Sequence, residues 1–307
     1  MSGGLLKTLS QIVAHHKRID KLFIILGLLS MFVGLMTLCA LIINLSVDGF
    51  ERLSVPFMTS FPSRFPEKAG ILSSWVGSAL VMLTTAVISI PIGVGAAIYL
   101  EEFAAKNKIT DIIEINITNL AGVPSIVYGL MALGLFVYKF HLGQSVLTAG
   151  LTLGLLVLPI VITATREAIR AVPVGIREAA FALGATRWQM VKDHILPYST
   201  GGISTGIIIA LSRAIGESSP LITIGALTFI AFLPPSPITV SFPYISFEWL
   251  MSPFTVIPIQ MFNWVSRPQA EFHLNAAAAG LILLLMTLSM NAVAIWIRYR
   301  FRKKVKW

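Results

Sequence analysis

Arg213 and Glu217 stand four residues apart in LSRAIGESSPLITIGAL, a stretch otherwise apolar enough to enter a bilayer. A guanidinium in such surroundings attracts an anion. A carboxylate one helical turn away pairs with it and limits how tightly the anion is held. Ser212, Ser218, Ser219 and Thr223 add hydroxyls around the same point. Arg213, Glu217, Ser212, Ser218 and Ser219 are therefore candidate residues of a substrate path with a weak anion site. A structural Arg–Glu pair that locks helix packing would use the same two charges, and both readings stand at this level.

Enzymatic chemistry finds no support elsewhere in the chain. GATRWQMVK lacks the second glycine and the GK[ST] ending of a phosphate-binding loop, and neither HExxH nor GxSxG occurs. His15 and His16 are adjacent, so on a helix they point about 100° apart and do not share a metal. Cys39 is the single cysteine; it excludes an internal disulfide and reads as a small apolar filler. No catalytic residue and no metal ligand is assigned.

The elements that position Arg213 are membrane spans. Hydrophobic residues make up 56% of the 307 and charged ones 12%, with a mean hydropathy of +0.83, outside the usage of soluble domains. Six spans are expected, over 22–45, 72–100, 118–138, 144–165, 203–233 and 274–297. The second and fifth are long and contain Pro91 and Pro220, which implies tilts or kinks. The first run is too long for the apolar part of a signal peptide. Arg213 falls about ten residues into the span beginning near Ile203, roughly 15 Å deep and close to the midplane.

Residues 1–21 read as an interfacial helix, with Leu5, Leu6, Leu9, Ile12 and Val13 at helical spacing and Lys7, Lys17 and Arg18 alongside. Residues 22–297 are expected to form the six-span membrane domain and 298–307 a basic tail. Seventeen of the 23 basic residues fall in the segments that share a side with the N-terminus, so both termini are expected in the cytoplasm. That asymmetry assigns the basic excess to topology and lipid contact rather than to nucleic acid. The two long outer segments, 46–71 and 234–273, are rich in aromatics and proline, including Trp249 and Trp264. They read as an interfacial belt, a docking rim, or both.

A polar cytoplasmic hairpin at about 174–200 interrupts this pattern. Glu178, Ala179, Ala180 and Ala182 give a short helix with a small face, Gly184 breaks it, and Thr186 caps a second helix running to Ile195 and Leu196, where Pro197 ends the pattern. From composition alone it could also be a basic loop resting on lipid headgroups.

EAAFALGATRWQMVKDHILP resembles the EAA motif of permease subunits in ABC importers, with Glu178, Ala179, Ala180, Gly184, Ile195, Leu196 and Pro197 matching. LSRAIGESSPL and GVPSIVYGL resemble segments of phosphate-importer permeases, with Ser218 where threonine is commoner. The resemblance covers the chain from about Leu22 to Arg298. It implies an all-α, six-span type I importer permease of a bacterial inner membrane, with the hairpin as its coupling helix. It also implies four kinds of partner: a homologous second permease subunit, an ATPase dimer that holds ATP and magnesium, a phosphate-binding protein and membrane lipid. This chain itself would hold no cofactor. A permease for phosphonate, sulfate or molybdate, a gradient-driven transporter, and a membrane sensor are the alternatives.

Overall fold

The computed structural model describes residues 2–238 and 244–304, and in them the chain is a set of helices. The first, α1 (Ser2–Phe50), absorbs the helix expected over 1–21 into the first span without a break. KRIDK carries neither proline nor glycine, so nothing interrupts the hydrogen-bond ladder there. Over residues 22–44 the helix is exposed on all sides. It meets the rest of the chain at its far end, where Gly49 lies against the backbone of Ala277 and Ala278.

Short α2 (Val55–Thr59) is capped by Ser54, which accepts from the Phe57 N–H. Next comes α3 (Leu72–Ile98), which holds Pro91 in its interior and runs into a π-helical turn, Tyr99–Phe103. The third crossing differs from expectation. α4 (Lys108–Leu120) and the helical stretch Ser125–Lys139, which opens with α5 (Ser125–Ala132), meet at a bend of 106°. Residues 118–120 therefore finish α4, and the crossing itself starts at Ser125. Pro124 lacks a donor and bars its predecessor from helical geometry, which places the bend where it is.

The fourth crossing is α6 (Val146–Arg170), capped by Ser145. A three-residue turn leads to α7 (Val174–Ala182), then α8 (Arg187–Met190), a π-helical turn Val191–Ile195, and α9 (Leu196–Gly216). Pro197 does not end the pattern. It occupies the first turn of α9, and the helix is unbroken from Arg187 to Gly216. The fifth span, expected to reach 233, stops at Gly216. Pro220 accordingly opens a separate short helix, α10 (Ser219–Thr223), and kinks nothing. A segment with α11 (Ile257–Val265) leads into α12 (Glu271–Lys304). Among the described residues, five helices are long and apolar enough to cross a membrane, and there are six if the bent pair counts as one span.

Three helices form the centre, and small residues set their spacing. Gly150 of α6 lies against Thr84 and Thr85 of α3, and Gly93 of α3 against Val161, so α3 and α6 run parallel. On the other face of α6, Gly202 and Gly206 of α9 meet Ala168 and Ala164, an antiparallel contact too close for larger side chains. α12 runs antiparallel to α9, tied to it by Ser212 Oγ to Asn291 Oδ1 (2.6 Å) and Arg298 Nη1 to Thr205 Oγ1 (2.7 Å). These directions alternate as six crossings require and put the end of α12 beside the hairpin.

Trp249 and Trp264 are buried rather than rim residues. Trp264 packs 5.9 Å from the Phe57 ring, centroid to centroid, and Trp249 sits under the outer ends of α3 and α6. Phe229, Phe232, Tyr244, Phe247 and Phe262 are exposed aromatics in and beside the same segment. Residues 239–243 of this segment and 305–307 of the basic tail lie outside the described residues.

Candidate functional site

The contact register of α9 on α6 fixes the depth of Arg213. Gly202 against Ala168 and Gly206 against Ala164, continued along both helices, bring Arg213 level with Val157, midway along α6. Three residues later α9 ends. Glu217 has extended geometry (φ −80°, ψ 112°) and the chain restarts as α10. A helix that stops halfway through a span leaves carbonyls unpaired. At membrane depth this is tolerated only where the backbone is covered by protein or lines a water-filled cavity.

Protein covers one side of the break. Gly129 of α5 lies against Pro220 and Thr223 so closely that no side chain fits there. Tyr128, Ala210, Leu211, Ala214 and Ile215 pack into one apolar cluster with Leu156, Val157 and Val161. Arg213 is not part of that cluster. Its side chain is 44% exposed, and Nε lies 3.3 Å from Oε1 of Glu217, itself 20% exposed. The expected pair thus forms, although Glu217 is past the end of the helix rather than on its face. An Arg with this exposure at the depth of Val157 is unfavourable against lipid, so it faces a wet path or a partner chain.

The hydroxyls divide. Ser212 bonds to Asn291 and to the Ile208 carbonyl, which turns it toward α12 and helix packing. Thr223 bonds to the carbonyl of Pro220. Ser218 makes no side-chain cap on α10, and Ser218 and Ser219 are both partly exposed just after Glu217. Among the expected path residues, Arg213, Glu217, Ser218 and Ser219 therefore share the open edge of the break.

The turn and the second cap of the hairpin form as expected, although Pro197 does not end it. Gly184 takes φ +78°, a left-handed turn that glycine adopts without strain. Thr186 and Gln189 form a reciprocal capping box at the start of α8. The motif residues separate into two groups. Ala180 and Ile195 are buried with Ile169, Val172, Met190 and Val191, and Leu196 packs against them; Pro197 is partly covered. Glu178, Ala179 and Gly184 face outward. Sequence reasoning missed the large apolar side chains beside them. Phe181, Leu183 and Trp188 are exposed, Leu183 by 89%, and together they make an apolar tip rimmed by Glu178 and Arg187.

Charges at the base of the hairpin were also missed as a set. Arg166 and Arg170 at the end of α6 both pair with Glu101 after α3 (3.4 and 2.9 Å) and with Glu114 of α4. The Arg166 guanidinium bound to it holds the Glu114 carboxyl below the ordinary carboxylate range. The signal was the adjacent pair Glu101–Glu102 at the end of an apolar run; its arginine partners lie about 70 residues on. No group of three or more His, Cys, Asp or Glu placed to hold a metal occurs among the described residues.

Comparison with known proteins identifies the family. The family model for the binding-protein-dependent transport system inner membrane component matches residues 89–307. The chain is 31% identical to the probable ABC transporter permease protein YqgI of Bacillus subtilis, over 89% of this chain and 95% of that one. It is 32% identical to the phosphate transport system permease protein PstA of Haemophilus influenzae (94% and 96%), and 30% identical to that of Yersinia pestis (95% and 92%). Among solved structures, a chain of the methionine ABC transporter MetNI superposes with a TM-score of 0.54 over 75% of this chain and 95% of its own, at 15% identity. That last likeness concerns the fold.

Proposed function

The chain belongs to the family of binding-protein-dependent transport system inner membrane components, and from that premise we propose that it is the permease subunit of an ATP-driven importer of inorganic phosphate. Its coarser role follows from the family: a multi-pass, non-catalytic membrane subunit of an ABC importer, with ATP hydrolysis on a separate chain.

One observation carries the anion: Arg213, open at a helix break level with the middle of α6 and answered by a single carboxylate. Phosphate in particular is supported by the names of relatives that align over more than nine-tenths of their length. Glu217 keeps passage weak, because an anion held only by Arg213 would be slow to leave.

In this reading a homologous second permease subunit closes the other side of the path. Two copies of an ATPase, which hold ATP and magnesium, receive the apolar hairpin tips. A phosphate-binding protein docks at the opposite end, and both termini face the cytoplasm. ATP binding draws the hairpins together and opens the spans outward; hydrolysis resets them inward. Glu178, Ala179 and Gly184 lie on the docking face, while Ala180, Ile195, Leu196 and Pro197 seat the hairpin against the spans.

The test is uptake of radiolabelled phosphate by the complete importer in proteoliposomes, with sulfate, molybdate and phosphonate as competitors. ATP-dependent uptake that only phosphate and its close analogues compete supports the reading. Preferential uptake of another oxyanion, or uptake without an ATPase, overturns it.

A further inference from the structure

We propose that Arg177 and Glu102 form an ionic latch through which the docking hairpin moves α3 and α6. They would then be positioning residues for coupling, although neither lies on the docking face. The inference rests on the importer reading above.

Arg177 precedes the outward-facing Glu178, yet its guanidinium turns inward. Nε and Nη2 lie 3.1 and 2.8 Å from Oε1 of Glu102, in the π-helical turn that ends α3. Nη1 donates to the Val172 carbonyl at 2.8 Å, and Nη2 also donates to the Ile169 carbonyl at 3.0 Å. One side chain of α7 thus holds the end of α3, the last turn of α6 and the connection between α6 and α7. Only a planar guanidinium reaches three such acceptors at once; a lysine ammonium does not span them. The pair is also sheltered, with 18% and 8% of the two side chains exposed, so it is screened less than the Arg170 bridges outside it.

The connection explains why a latch matters. Between α6 and α7 the chain makes a three-residue turn, Ala171 to Pro173, the obvious place for α7 to rock when a partner pulls on its tip. Arg177 binds the Ile169 carbonyl before that turn and the Val172 carbonyl within it, and fastens both to α3. The second half of the hairpin needs no such tie, because α8 continues into α9 without a break. With the latch closed, movement of the tip is shared by α3, α6 and α9. With it open, α7 moves without α3 and α6, and only the α8–α9 half of the hairpin still drives the path.

The experiment uses the complete importer in proteoliposomes and reads ATPase retention, ATP hydrolysis and phosphate uptake for Arg177→Gln, Glu102→Gln and the double variant. Each single variant is expected to keep the ATPase bound and hydrolysing while uptake per ATP falls about tenfold or more, the size of a typical coupling between distant sites. The double variant should be no worse than the poorer single, as for two halves of one interaction, and Arg177→Lys should fall between wild type and Arg177→Gln. Uptake and hydrolysis that decline together at a constant ratio overturn the latch. So do additive losses in the double variant, or loss of the ATPase from both singles, which would make the pair a folding element. Wild type that carries no phosphate would instead sink the importer's substrate, and the ratio is then read with whichever of sulfate, molybdate or phosphonate it does carry.

Discussion

Replacing Arg213 by alanine separates a transport role from a structural one, because the two predict effects of different size. As a structural tie, the Arg213–Glu217 pair is weak: it is 3.3 Å long, and the arginine side chain is 44% exposed. Pairs of that kind are worth about 0–1 kcal/mol, so the variant should assemble with its partners and melt close to wild type. As the group that receives an anion, Arg213 supplies a charge-assisted hydrogen bond worth about 1.5–3 kcal/mol, or roughly a tenfold to hundredfold effect on rate. In a binding-protein importer the concentration presented to the path is set by the docked protein. The loss should therefore show in the maximal rate rather than in the half-saturating concentration. The assay is initial phosphate uptake by proteoliposomes with saturating binding protein, normalised to the ATPase recovered with the permease. Uptake within about twofold of wild type, in an intact complex, would refute the reasoning, since no charge-assisted contact to the passing anion is that small. A complex that falls apart would refute it differently, by showing that a weak exposed pair had been structural after all.

Four further outcomes follow from the same geometry. Leu183→Asp places a charge on the most exposed apolar side chain of the hairpin tip; co-purification of the ATPase should drop severalfold while membrane insertion and yield of this chain stay unchanged. Gly184→Ala meets no neighbouring atom within 4 Å but must hold φ +78°. It should cost about 1–2 kcal/mol of hairpin stability, seen as faster proteolysis at the turn, with Gly184→Asn milder. Gly206→Leu drives its side chain into Ala164, which already fills the place that a Cβ on residue 206 would take. Thermal unfolding in detergent should show a loss of about 1–3 kcal/mol or more from overpacking. Ser212→Ala leaves Asn291 without its hydroxyl partner; the expected loss is about 0.6 kcal/mol, with uptake largely kept, which sets Ser212 apart from Arg213.

Local features were legible in the sequence, and distant ones were not. The hairpin could be read because its parts act within a few residues: Gly184 for the turn, Thr186 for the cap, alanines for a close-packed face. The Arg213–Glu217 pair was legible for the same reason. The break after Gly216 was missed although its signal was present. Two serines followed by Pro220 mark the start of a new helix as readily as a kink in an old one, and the apolar residues beyond it made one long span the simpler reading. The joining of residues 1–21 to the first span turned on the absence of a breaker, which apolar periodicity does not register. Burial of Trp249 and Trp264, and the bonds from Glu101 and Glu102 to arginines across the bundle, depend on how helices pack. No spacing in the sequence encodes that.

The placement of the break gives the hairpin its mechanical meaning. Trp188, at the exposed tip, and Arg213, at the open edge of the helix break, belong to one unbroken helical run from Arg187 to Gly216. At 1.5 Å per residue they are about 38 Å apart. Within it the ladder departs from α-helical spacing only over Val191–Ile195, where the rod leaves the hairpin core. A flexible linker between docking surface and path would dissipate a small displacement, whereas a continuous helix held against α6 by Gly202 and Gly206 transmits it along its axis or as rotation. Rotation matters most, because Arg213 is in the last turn and Glu217 is already outside the helix. A modest turn of the rod would move the guanidinium relative to the carboxylate that answers it. The anion would then meet a free Arg213 in one state and a neutralised one in the other, which is what capture followed by release requires. Glu217→Gln removes that alternation: the anion should still be accepted, but release should slow, so that uptake falls while phosphate retained on the detergent-solubilised complex rises. Equal loss of retention and uptake would show that Glu217 serves only to hold Arg213 in place.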